Sequence, residues 1–154
     1  MQQFEAHVEW RRGEQVFADN RYSRAHQWQF DGGLTVPASS SPLSVPVPMS
    51  DAGAIDPEEG LVAAGSSCHM LFFLSFAARR GFIVDSYSDK PVGTLDKNAD
   101  GQMAMTLFTL RPAVVFSGER RPGGADLDAL HHEAHAHCYV ANSIKADVLI
   151  EGAG

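Results

Sequence analysis

A chain of 154 residues has room for one domain, or for two protomers sharing a core, and buries roughly two-thirds of its unfolded surface. Hydrophobic residues at 44% and charged residues at 20% exclude a low-complexity or disordered chain. The net charge is −7, and basic residues cluster only as the pairs Arg11-Arg12, Arg79-Arg80 and Arg120-Arg121, which argues against nucleic acid or an anionic membrane as partner.

Phe4, Ala6, Val8 and Trp10 alternate with polar residues, the period of a half-buried strand. Arg12-Gly13 is a predicted turn after which Gln15 to Phe17 would pair back. His26, Trp28 and Phe30 alternate again up to Asp31-Gly32-Gly33, a hairpin signal, with Leu34 to Val36 as the return strand. From about 37 to 56, four prolines among serines predict a long loop.

Asp56-Pro57-Glu58-Glu59 then opens a helix, with an Asp cap, Pro in the first turn and acids near the positive end of the dipole. That helix should run from about 57 to 80 and close at Arg79-Arg80-Gly81. Gly60 to Ala78 carries no formal charge, nearly the length of a membrane span, yet its middle, Gly65-Ser66-Ser67-Cys68-His69, suits a buried core helix better. The expected stripe is Leu61, Ala64, Cys68, Leu71 or Phe72, and Ser75. Strands are predicted at Phe82–Asp89, Val92–Leu95 and Met103–Phe116, the last bent at Pro112. Gly123-Gly124 breaks the chain and Asp126 caps a second helix, whose face is Leu127, Leu130, Ala134 and Cys138. Ile144, Ala146, Val148 and Ile150 alternate in a final strand. The order is α+β, a single domain over 1–154 with no internal repeat, its second β part and helix spanning about 82–150.

Met1-Gln2-Gln3-Phe4-Glu5 lacks the basic and apolar regions of a secretory signal, so the expected compartment is the reducing cytoplasm. There, two cysteines 70 positions apart are not expected to be a permanent staple. Each sits on the apolar stripe of its helix, so the sulfurs would meet if the stripes face one core. Pattern alone leaves a redox pair, two small core hydrophobes and a metal site open.

Two other segments imitate metal sites. His131-His132-Glu133-Ala134-His135-Ala136-His137-Cys138 places His131, His135 and Cys138 within reach of one another on a helix, but it is not H-E-x-x-H. Asp96-Lys97-Asn98-Ala99-Asp100-Gly101 begins like a calcium loop, but Leu107 stands where the bidentate Glu belongs, which leaves a polar hairpin tip. His69 is as well suited to packing as to tuning Cys68, because adjacent helical residues point about 100° apart.

Several segments together resemble the OsmC/Ohr family, its OsmC-like branch in particular. They are Asn20-Arg21-Tyr22-Ser23-Arg24-Ala25-His26, Asp31-Gly32-Gly33, Asp56-Pro57-Glu58-Glu59, Ala63-Ala64-Gly65-Ser66-Ser67-Cys68-His69-Met70 and His135-Ala136-His137-Cys138-Tyr139-Val140-Ala141-Asn142-Ser143. The resemblance implies antiparallel sheets around two central helices in an intertwined homodimer. It further implies a peroxidase for organic hydroperoxides, often preferred over hydrogen peroxide, with Cys68 as nucleophile and Cys138 as resolving thiol. Arg24 would hold the thiolate and align the peroxide, with Glu58 orienting it; Arg21 and Glu59 compete for those two roles. The implied reductant is a dithiol, such as a lipoyl group, with no cofactor and no metal. The rival reading is a non-catalytic module of the same fold that binds a small apolar ligand or a metal.

Overall fold

In the computed structural model, which describes residues 1–152, the alternating N-terminal segment forms β1 (Ala6–Glu9). β2 (His26–Phe30) pairs antiparallel with β1 and with β3 (Thr35–Ala38), giving the sheet order β1-β2-β3. The hairpin at Asp31-Gly32-Gly33 is as predicted. Gln15 to Phe17 is not a strand: the Gln15 amide donates to the Arg12 carbonyl at 3.3 Å and its side chain accepts from the Ser23 amide at 2.6 Å, so these groups hold turns. β3 reaches through Pro37 because it is the edge strand of the sheet, where a residue without an N–H is tolerated. The following Pro/Ser segment is tied back to β3: the Ile55 amide donates to the Pro37 carbonyl at 3.1 Å and the Ser39 amide to the Ile55 carbonyl at 2.9 Å.

The chain divides into two compact units, Met1–Gly60 and the segment from Leu61 onward. α1 (Pro57–Arg79) starts in the first and continues through the second. Its entry is a reciprocal cap: the Glu59 amide donates to Asp56 Oδ1 at 2.8 Å and the Asp56 amide to Glu59 Oε2 at 3.3 Å. Its exit is a left-handed glycine, Gly81 at φ +77, with the Phe82 amide bonded to the Ala77 carbonyl and the Gly81 amide to the Ala78 carbonyl.

In the second unit the buried face of α1 is Gly65, Ser66, His69, Phe73, Phe76 and Ala77. The stripe expected from sequence is therefore displaced: Leu61, Cys68 and Phe72 are half-buried, while Ala64, Leu71 and Ser75 are exposed. A helix apolar all round gives no single periodic signal, and the face is chosen by what packs on it. Phe73, Phe76 and Ala77 form a core with Phe82 and with Leu130 and Ala134 of α2 (Gly124–His137). Each phenylalanine so buried is worth about 1.5–3 kcal/mol.

β4 (Ile83–Ser88) pairs antiparallel with β7 (Ala113–Ser117) and supplies Val84 and Tyr87 to this core, with Val114 and Phe116 from β7. β5 (Val92–Lys97) and β6 (Met103–Leu110) form an antiparallel hairpin whose tip carries Asn98 to Gly101. The stretch read as one bent strand is thus two, in different sheets, divided at Arg111-Pro112. Asp126 acts three residues inside the cap position, its carboxylate accepting from the Gly123 amide at 3.0 Å. β8 (Asp147–Ile150) joins β6 in parallel, an exception to the antiparallel expectation that the intervening helix permits.

β5 packs against α1 without slack. A Cβ on Gly93 would lie 2.3 Å from Met105 Cε and 2.4 Å from Val62 Cγ2, and a β-branched valine has little rotamer freedom to retreat. Gly93→Ala should destabilise the protein by about 1–3 kcal/mol. The check is a lower urea midpoint at unchanged slope; an unchanged midpoint would contradict this packing.

Candidate functional site

Cys68 lies mid-way along α1 and Cys138 ends α2, where its amide donates to the His135 carbonyl at 3.2 Å. Both are free thiols, half-buried and buried respectively. The two side chains are neighbours in the second unit, near enough for Cys68 to perturb the Cys138 thiol. Burial pushes the Cys138 thiol up to about 11, and Cys68 adds to the rise, while the Ala141 and Val140 amides oppose it. The Ala141 amide donates to Cys138 Sγ at 3.4 Å, from the start of the 3-10 turn Ala141–Ser143. An inward-facing, protonated thiol beside a more open one is the arrangement in which the open thiol reacts first and the closed one second.

Beside the thiols is a buried imidazole pair. His69 and His131 are 1% and 4% exposed, with His69 Nε2 3.0 Å from His131 Nδ1 and the rings 8° from parallel. One ring donates and the other accepts, so the contact requires at least one neutral imidazole. Burial lowers His69 to about 4, helped by His131 and His135 and opposed by Asp89. His131 is lowered too, chiefly by burial, with Asp128 and Asp89 opposing. The Asp89 carboxylate accepts from Ser66 Oγ at 2.5 Å and from the Arg111 amide at 2.7 Å, fastening α1 to the corner between β6 and β7. Gly65, His69, Phe108, His135 and Cys138 line a void with about 10 Å³ for the centre of a water-sized sphere. His135 Nδ1 is buried and has no hydrogen-bond partner among the described residues.

Sequence reasoning leaves His69 open between packing and tuning Cys68 and does not join it to His131. The signal was present: His69 continues the Gly65–Phe73 face, and His131 lies one turn from both Leu127 and Ala134. Polar residues centred on two apolar faces have to find each other.

Arg24 and Glu58 belong to the first unit. The Arg24 guanidinium donates to the Asn20 carbonyl at 3.0 Å, to Asn20 Oδ1 at 2.8 Å and to the Tyr22 carbonyl, and lies 3.8 Å above the Tyr22 ring. It lines an open, mainly apolar cleft of about 480 Å³ with Trp10, Phe17, Tyr22 and His26. Arg21 is exposed, and its amide bonds to Asp19 Oδ1. Glu58 is half-buried and makes no ion pair with Arg24 among the described residues, while Glu59 serves the helix cap. Asn20 and Tyr22 hold this arginine in the orientation seen here. Among the described residues no three metal-binding side chains gather at one point.

The lowered His69 sets a pH dependence. Its neutral form is favoured by folding, so the full stability is present above the unfolded value near 6.5 and is lost as pH falls towards about 4. Denaturant unfolding should show a loss of about 3 kcal/mol across that window beyond that of His69→Gln. Parallel curves for the two proteins would contradict the assignment.

The family described as OsmC-like protein matches residues 50–151. A structure of an OsmC-like protein of unknown function from Vibrio cholerae is 50% identical, with a TM-score of 0.96 over 98% of this chain and 99% of that one. The organic hydroperoxide resistance protein OhrB of Bacillus subtilis shares the fold at 19% identity, with a TM-score of 0.64 over 96% of this chain and 97% of its own. An organic hydroperoxide resistance protein OsmC from Legionella pneumophila does so at 16% identity, TM-score 0.67, over 97% and 96%. No curated protein matches the sequence. An α+β chain with paired helices, a cysteine on each, and a match over residues 50–151 belongs to the OsmC-like family.

Proposed function

We propose that this protein is a thiol-dependent peroxidase that reduces organic hydroperoxides, with hydrogen peroxide as a second candidate substrate. The observation that carries the reading is that two free thiols 70 positions apart in sequence, Cys68 and Cys138, are neighbours in the second unit. The Cys68 thiolate attacks one peroxide oxygen, the O–O bond breaks, and the alcohol leaves with a proton, giving a Cys68 sulfenic acid. Cys138 then attacks Cys68 sulfur; an S–S bond forms, and the hydroxyl leaves as water with the Cys138 proton. An external dithiol, such as a lipoyl group, reduces the disulfide and is itself oxidised to one. That step suits a reducing cytoplasm.

Arg24 is the assisting cation in this reading and Glu58 the carboxylate associated with it. Arg24 is favoured over Arg21 because its guanidinium is fixed in orientation and faces an open apolar cleft. That cleft would also hold a small apolar ligand without chemistry, so the decisive test must read the thiols rather than binding.

The protein acts as a homodimer. α1 is long and apolar enough to cross a membrane, and only 33% of its most apolar window is buried within one chain. A second copy is a better cover than lipid, because Ser66 and His69 on that helix are already bonded to Asp89 and His131. Sedimentation at twice the chain mass is expected, and sedimentation at the single-chain mass would remove the dimer.

Reduced protein given one equivalent of cumene hydroperoxide should lose both thiols and two hydrogens of mass. Cys68→Ser should lose turnover by at least about 100-fold. Cys138→Ser should gain one oxygen at Cys68 and stop there, or oxidise further in excess peroxide. Survival of both thiols in excess oxidant would leave a binding module as the reading.

A further inference from the structure

Resolution of the sulfenic acid poses a problem that the cysteine pair alone does not solve. Cys138 is the nucleophile of that step, yet it is buried and held as the thiol. A thiol attacks sulfur only as its proton departs, so a proton acceptor has to stand within reach of Cys138.

The void next to Cys138 is lined by two imidazoles, His69 and His135. His69 Nε2 is engaged with His131 at 3.0 Å. His135 Nδ1 is buried and has no partner among the described residues, a costly condition for a ring nitrogen unless the site uses it. His135 also precedes Cys138 by one helical turn, and its carbonyl holds the Cys138 amide at 3.2 Å, which fixes the relative position of the two backbones. The void has the volume of about one water, enough to relay a proton from sulfur to Nδ1.

We infer that His135, with its proton on Nε2, accepts the Cys138 proton at Nδ1 across this void as Cys138 attacks the Cys68 sulfenic acid. The S–H bond of Cys138 breaks, the disulfide forms, the Cys68 S–O bond breaks, and His135 returns the proton to the departing hydroxide, which leaves as water. No external oxidant or base is consumed. The other ionisable groups around this point are Cys68 and His69 from α1, His131 and Asp128 from α2, and Asp89 from the β4–β5 connection. The inference rests on the peroxidase reading and concerns only its second step.

The two steps separate in quenched-flow mass spectrometry, where the first adds one oxygen and the second removes water. His135→Ala and His135→Gln should take up oxygen at a rate within about twofold of the parent but close the disulfide about 100-fold more slowly. In both variants the second step should become steeply dependent on hydroxide, unlike the parent. His135→Gln preserves the size and polarity of the side chain without its basicity, so disulfide closure at the parent rate in that variant would overturn the inference. It also serves as the folded comparison should the alanine variant unfold. Parent protein that takes up no oxygen would sink the peroxidase reading and this step with it. Normal uptake with unchanged closure in the variants would sink this step alone.

Discussion

Placing hydroxyl, imidazole and thiol groups in the middle of an otherwise apolar 23-residue helix obliges the rest of the second unit to answer them. Ser66 bonds to Asp89 and His69 to His131, and Cys68 comes to lie near Cys138. Each partner comes from a different place: the β4–β5 connection, the middle of α2, and the end of α2. An unanswered polar group in that position costs about 1–3 kcal/mol. The two hydrogen bonds therefore help fix how α1 is rotated in the second unit, alongside the phenylalanine core.

The same constraint shapes the chemistry. α2 must stop where Cys138 faces α1, and the turn at Ala141–Ser143 lets a backbone amide reach the sulfur at 3.4 Å. Burial keeps that thiol protonated, whereas Cys68, at the margin of the buried face, retains access. Two chemically identical residues thus differ in burial and in access to solvent. The buried imidazoles beside them are held neutral, which leaves the region without a fixed positive charge that would ionise the deeper thiol early.

Much of this was legible in the residues. The cap at Asp56-Pro57-Glu58-Glu59, the stop at Gly81, the Asp31-Gly32-Gly33 hairpin and the α2 face ending in Cys138 are local signals, and local geometry decides them. What was not legible depends on distant partners. The buried side of α1 was misplaced because an all-apolar helix has no periodicity to read. Gln15 to Phe17 looked like a strand until side-chain hydrogen bonds claimed it for turns. The His69–His131 contact spans 62 positions and needs the helix crossing to be known first. The hold of Asn20, at φ +61, on the Arg24 guanidinium depends on a backbone turn that side-chain pattern does not reveal.

The seat of β5 against α1 has a consequence for how this scaffold can vary. Gly93 leaves less than a methyl group of room between Met105 and Val62. Those three side chains share one fixed volume, so enlarging position 93 requires shrinking Val62 or Met105 in the same move. Such triplets change together or not at all, and their effects will not add when changed singly. For design on this backbone, positions 62, 93 and 105 are a single choice rather than three.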